Sequence, residues 1–242
     1  MSKFLIKKRE ALLSSNWWAD PSCLAAFRFR GAASEADALK DWTGHGYDLA
    51  KNGSPAWNAA NGFSFTSESQ YLQNASLNNQ AIYTIVVRYA SLSYSSSTGS
   101  TFFAKPGGSN DNAWLAAQLS YAYYWNGEWI DANSSYPAWL TSFKGNSGSN
   151  SPLVYRRGNA SLPSGGVFGA DRGGGMYVNG AARSSSQVSR AHENLSTQRL
   201  NHNRATLGRS SHGSFTLLGA AFYSQALDAL THARINQNMR LF

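Results

Sequence analysis

Hydrophobic and polar residues alternate with a period of two along much of this chain, which predicts strands rather than helices. Over 82–89, Tyr83, Ile85, Val87 and Tyr89 fall on one side and Ile82, Thr84, Val86 and Arg88 on the other. The first set is apolar enough to face a core. Arg88 then marks a solvent-facing or groove-lining side. The segment 114–125 alternates in the same way, with Leu115, Ala117, Leu119, Tyr121, Tyr123 and Trp125 on the core side. Gln118, Ser120, Tyr124 and Asn126 take the other side. Residues 24–29, 63–72, 154–157 and 167–170 predict further strands. The polar stretches 91–100 and 144–150 predict exposed turns. One helix is expected over 228–238, capped by Asp228, with Leu230, Ile235 and Met239 as its apolar side. The segment 187–203 keeps neither period and reads as a long excursion.

Four short motifs occur in an order that carries information. Asp41-Trp42-Thr43-Gly44-His45-Gly46-Tyr47-Asp48-Leu49 is a polar turn, and Tyr83-Thr84-Ile85 opens a strand. Tyr177-Val178-Asn179-Gly180 predicts a two-residue hairpin, because Asn-Gly supplies the positive φ angles it needs. Leu207-Gly208 precedes a strand that ends in Tyr223-Ser224-Gln225-Ala226-Leu227-Asp228. Together these resemble the concanavalin A-like, laminin-G-type family across residues 24 to 235. The resemblance implies an all-β, two-layer antiparallel sandwich, a jelly roll. Residues 1–22 are expected as an N-terminal arm and 23–242 as the sandwich with a short C-terminal helix.

Composition is consistent with that expectation. A chain of 242 residues with 42% apolar and only 14% charged content can bury one sizeable core. The single cysteine, Cys23, makes no intrachain disulfide. The apolar runs 4–6 and 11–13 are too short for a signal peptide, and no stretch approaches a membrane span. The net charge is +8. Lys3, Lys7, Lys8 and Arg9 stand against Glu10, and from Arg183 onward seven arginines stand against Glu193 and Asp228. A solvated basic face is one reading of this distribution; attraction to a polyanion such as an acidic glycan is the other. Nucleic acid is the least favoured partner, since no docking motif accompanies the charge.

Chemistry is sparsely represented. Sandwich glucanases of the resembled family carry Glu-x-Asp-x-x-Glu on one strand, which places the acids on or near one face. Here Glu128-Trp129-Ile130-Asp131-Ala132-Asn133 lacks the closing acid. The ten-residue spacing of His192, His202 and His212 does not match zinc ligation. No cofactor is expected. Calcium is the one metal the resemblance suggests, with Asp111 and Asp171 as loop carboxylates that could hold it.

Recognition is better furnished. Sugar rings stack on aromatic faces while amides and guanidinium groups bond their hydroxyls. Arg88, Tyr124, Asn126, Trp129 and Trp139 are the candidate carbohydrate-binding residues. Phe4, Leu5, Ile6, Leu12, Leu13, Trp17 and Trp18 give the arm an apolar character suited to assembly against other virion proteins or further copies. The resemblance therefore leads to a non-enzymatic virion component, of the kind found in bacteriophage heads, baseplates and tails, assembled in the host cytoplasm. The alternatives are a carbohydrate-binding lectin or receptor-binding adhesin and, third, a glucanase-like glycoside hydrolase; the alternative to a virion location is a soluble cytoplasmic one.

Overall fold

The computed structural model describes residues 17–67, 69–94, 100–105, 113–119, 123–125, 128–130, 137–143, 153–158, 163–171, 175–190, 205–210 and 213–241. In chain order the strands are β1 (Cys23–Arg28), β2 (Ala50–Asn52), β3 (Ala56–Asn58), β4 (Gly62–Phe65), β5 (Tyr71–Asn74) and β6 (Thr84–Tyr94). They continue with β7 (Ser100–Lys105), β8 (Ala113–Leu119), β9 (Tyr123–Trp125), β10 (Glu128–Ile130), β11 (Pro137–Phe143) and β12 (Leu153–Gly158). The last are β13 (Gly166–Asp171), β14 (Met176–Val178), β15 (Ala181–Ala182), β16 (Ser185–Arg190), β17 (Ala205–Ser210) and β18 (Gly213–Tyr223). Helix α1 (Glu35–Leu39) follows β1, and α2 (Ala229–Arg240) closes the chain.

Two antiparallel sheets form the expected sandwich. The first runs β15-β14-β13-β6-β18-β4-β3, with β1 also paired to β18. The second runs β16-β12-β11-β8-β7-β17-β5-β2. The aromatic alternation supplies the core between them. Phe103 on β7 meets Phe222 on β18 at 4.5 Å between ring centroids, and Phe102 meets Tyr89 on β6 at 4.8 Å. Phe27, Phe63, Phe168 and Phe215 fill the same layer and are fully buried. Strand β6 follows the predicted alternation, since Ile85, Val87 and Tyr89 join this core.

The reverse face of β6 is covered rather than open. Val86 packs with Ala26, Ala221, Ile235 and Met239 in a second cluster beneath α2. The buried side of α2 is His232, Ile235, Asn236 and Met239, spaced i, i+3, i+4, i+7. Burial of Ile235 and Met239 contributes about 2 kcal/mol each. Leu230, expected on the apolar side, is 69% exposed, because two polar residues occupy places in the stripe instead. The Asp228 carboxylate accepts from Thr231 N at 2.7 Å and caps the helix as predicted. Asp228→Ala is expected to lower the midpoint of chemical denaturation by removing this cap, with the helix still docked.

Other boundaries shift for local reasons. The single strand expected over 63–72 is two, β4 in one sheet and β5 in the other. Between them Thr66 N and Oγ1 both donate to Gln70 Oε1, at 2.8 and 3.1 Å, and this turn carries the chain across the sandwich. The Asn179-Gly180 hairpin forms as predicted, with φ of 54° and 79°. Gly180 is also needed for contact, because a Cβ there would lie 3.0 Å from Ala233 Cα of α2.

Candidate functional site

The clearest departure from the expected strand pattern lies in the aromatic stretch. The long strand predicted over 114–125 ends at Leu119. Strands β9 and β10 pair with each other in a separate two-stranded ribbon that belongs to neither sheet. Its register sets Trp125 against Glu128, Tyr124 against Trp129 and Tyr123 against Ile130. The flanking strands β8 and β11 are direct neighbours, beginning with Leu119 opposite Pro137. The ribbon is thus an excursion from one end of the second sheet. Alternation persisted into it because paired strands in a ribbon have the same period as strands in a core. Tyr123 and Trp125 therefore belong to this excursion and not, as expected, to the sandwich strand.

The predicted carbohydrate residues divide between two places. Tyr124 and Trp129 are register partners in the ribbon, while Trp139 sits on β11 opposite Ala117 of β8. Asn126 lies outside the described residues. Arg88 lies elsewhere, on the face of β6 beneath α2, where its guanidinium donates to the Met239 carbonyl. That bond satisfies a C-terminal carbonyl of the helix and places a cation at the negative end of its dipole. Arg88 therefore does not join the aromatic ribbon; the helix occupies the side expected to be open.

The remaining candidates are placed as follows. The Asp171 Oδ1 accepts from Gly175 N at 3.1 Å, and the two backbones are also bonded, so this carboxylate closes the β13–β14 turn. Asp111 lies outside the described residues. Among the described residues no three His, Cys, Asp or Glu side chains gather as a metal site. Trp17 and Trp18 pack on the chain's own sandwich. Trp17 is buried and its carbonyl accepts from the Tyr223 hydroxyl at 2.8 Å. Trp18 meets Trp17 and Trp42 edge-on at 4.6 and 5.1 Å. Phe4, Leu5, Ile6, Leu12 and Leu13 lie outside the described residues, as do His192, His202 and His212. Burial pushes the Cys23 thiol up to about 12, so it is a packing group rather than a nucleophile.

A group that the sequence reading did not single out is Arg28, Arg30 and Trp42. Arg28-Phe29-Arg30 alternates about a buried phenylalanine, and that period alone puts both arginines off the core. The Arg28 guanidinium lies 5.5 Å from the Trp42 ring centroid. Burial holds the Arg28 pKa below the ordinary arginine value.

No protein-family model matches the chain, and no curated protein matches it by sequence. Solved structures do. The binding domain of botulinum neurotoxin serotype C1 aligns with a TM-score of 0.55 at 13% identity, over 93% of this chain and 53% of that one. A botulinum neurotoxin type C structure, whose cell entry is described as dependent on interaction with two ganglioside molecules, gives 0.54 at 12%, over 90% and 51%. Domain 4 of AbnA, a GH43 extracellular arabinanase from Geobacillus stearothermophilus, solved in complex with arabinotriose, gives 0.52 at 13%, over 89% and 98%. The likeness is one of fold. The chain spans about half the length of the neurotoxin chains and nearly all of the arabinanase domain. Of these, the serotype C1 structure is by name a binding domain. Among the described residues no helix is long and apolar enough to cross a membrane.

Proposed function

We propose that this chain is a non-enzymatic carbohydrate-binding module whose glycan surface includes the β9–β10 ribbon. The observation that carries the reading is the register pairing of Tyr124 with Trp129 on an excursion outside both sheets. Loops mounted on a rigid scaffold are where sandwiches carry recognition, and aromatic residues supply the apolar surface a sugar ring needs. The ganglioside interaction of one neighbour and the arabinotriose complex of another support the same direction. The virion role expected from the sequence draws no support from these neighbours and stands behind this reading.

A glycan array on the full chain tests it. At least one oligosaccharide is expected to bind, and Tyr124→Ala or Trp129→Ala should weaken it about tenfold or more. Binding that survives both substitutions undiminished would remove the ribbon from the site. An array with no bound glycan would remove the function.

A further inference from the structure

A cleft of about 180 Å³ opens between the 17–20 segment and helix α2. It belongs to the side of the first sheet that the helix covers, whereas the ribbon leaves the second sheet. Its floor is apolar, since Trp17 and Ile235 line it and both are buried in the cluster beneath the helix. Its walls are polar, with Asp20 on one side and Thr231, Arg234 and Asn238 on the other.

Both walls are held by bonds within the fold. The Asp20 Oδ1 accepts from Ser22 N at 2.8 Å and from Ser22 Oγ at 2.6 Å, and the Asp20 carbonyl accepts from Cys23 N at 2.8 Å. The Ser22 carbonyl in turn accepts from Ser224 N at 2.8 Å and Ser224 Oγ at 3.2 Å, which ties the turn to the end of β18. On the helix, Thr231, Arg234, Ile235 and Asn238 are spaced i, i+3, i+4, i+7 and form one stripe along the axis. A ligand entering the cleft therefore does not have to order its walls.

Asp20 and Arg234 border the same space without pairing. The ion pairs among the described residues, Lys40–Asp37 and Lys51–Glu35, use neither of them. Asp20 commits Oδ1 to Ser22, and its Oδ2 accepts no hydrogen bond among the described residues. The Arg234 guanidinium donates through Nη2 to Thr231 Oγ1 at 3.1 Å, which leaves it further N–H donors. Two opposite charges whose role was to lock the helix to the turn would meet each other. Here they stand on opposite walls of an open space.

A carboxylate only accepts and a guanidinium only donates, so the group that serves both is a hydroxyl. The two charges cancel, which favours a neutral ligand over an ion. Thr231 and Asn238 add side chains that both donate and accept. The volume lies below the roughly 300–1,000 Å³ of a site for a drug-sized ligand, which limits the occupant to one small ring. We propose that this cleft, where Asp20 faces Arg234, binds one neutral monosaccharide unit through its hydroxyls. This second site rests on the carbohydrate reading for the class of its ligand and on none of the ribbon's residues.

Saturation-transfer NMR on the full chain tests it, with glucose, galactose, mannose and arabinose as probes and glycine as a zwitterionic control. At least one sugar is expected to bind, and glycine is not. Arg234→Gln and Asp20→Asn should each weaken that sugar about tenfold or more. Arg234 is exposed, and an unchanged melting curve confirms that its variant folds; it carries the test where Asp20→Asn disturbs the turn at Ser22. Arg240→Gln, on the same helix but outside the cleft, should leave binding unchanged, and so should Trp129→Ala. Loss in Trp129→Ala with none in Arg234→Gln would overturn the inference and leave the ribbon reading standing. Equal losses in Arg234→Gln and Arg240→Gln would overturn it as diffuse charge. Glycine binding as tightly as the sugars would overturn it as a zwitterion site. Failure of all four sugars to bind would overturn it too, and an array glycan lost on Trp129→Ala would then still support the ribbon.

Discussion

Asp41→Ala is expected to lose about 3–5 kcal/mol of folding stability, the largest effect of any single polar substitution considered for this chain. The Asp41 carboxylate is buried, and its Oδ1 accepts from Ala26 N at 3.1 Å, Thr43 N at 3.0 Å and Thr43 Oγ1 at 2.8 Å. Its Oδ2 accepts from Tyr47 N at 3.2 Å. One side chain thereby ties β1 to the whole 41–48 turn. Asp48 completes the unit by accepting from Asp41 N at 2.8 Å. Alanine would leave these donors without their acceptor, and a buried unsatisfied group costs more than a made hydrogen bond returns. Asp41→Asn keeps one acceptor oxygen but faces the remaining donors with an amide, so about half the loss is expected. Urea denaturation of both variants checks the order. A change below about 1 kcal/mol for alanine would show that water replaces the carboxylate at no cost.

The second large effect is a pH dependence that His232 imposes on the fold. Its imidazole is 3% exposed, stacks on Tyr177 at 3.7 Å between centroids, and leaves Nε2 without a hydrogen-bond partner among the described residues. Gly169 makes room for it, since a Cβ there would lie 2.8 Å from Nδ1. Burial lowers its pKa from 6.5 to about 4, against a smaller opposing pull from Asp228. As pH falls through 6.5 the unfolded chain gains a proton on this residue, but the folded chain does not until about pH 4. Stability therefore declines across that window by about 3 kcal/mol and levels below it. His232→Phe keeps a stacked ring and removes the titration. Its stability should lie that much closer to constant between pH 7 and pH 4, as read by denaturation at each pH. Parallel profiles for the two proteins would show that the histidine takes up its proton as readily in the fold as in the unfolded chain. The Asp228 carboxylate, held low by its hydrogen bonds to Thr231, loses its own contribution only at lower pH.

Much of this architecture was legible along the chain. The alternation over 82–89, the Asn179-Gly180 turn and the Asp228 cap each express a local rule, and local rules act through neighbours in sequence. The same rules misassigned 114–125, because a period of two says that a strand is paired without saying with what. The apolar side of α2 was half missed, since His232 and Asn236 are polar by composition and buried only by where the helix docks. Adjacent tryptophans suit packing on the chain's own sandwich or on a neighbouring copy alike, and it is the fold that brings Trp17 to Tyr223 and Trp18 to Trp42.

Fold class was therefore determined by the order of residues alone: strand periods, turn dipeptides and a helix cap are short-range features. The tertiary structure decided what those features face. It put α2 over the side of β6 expected to be open, set the Tyr124–Trp129 pair on an excursion beyond the sheets, and lined Arg28 up with Arg88 across Gly219. The residues of that row lie some sixty to two hundred positions apart in sequence and are neighbours only because β18 pairs with both β1 and β6. Recognition depends on such juxtapositions, and long-range strand register, which no local pattern encodes, is what creates them.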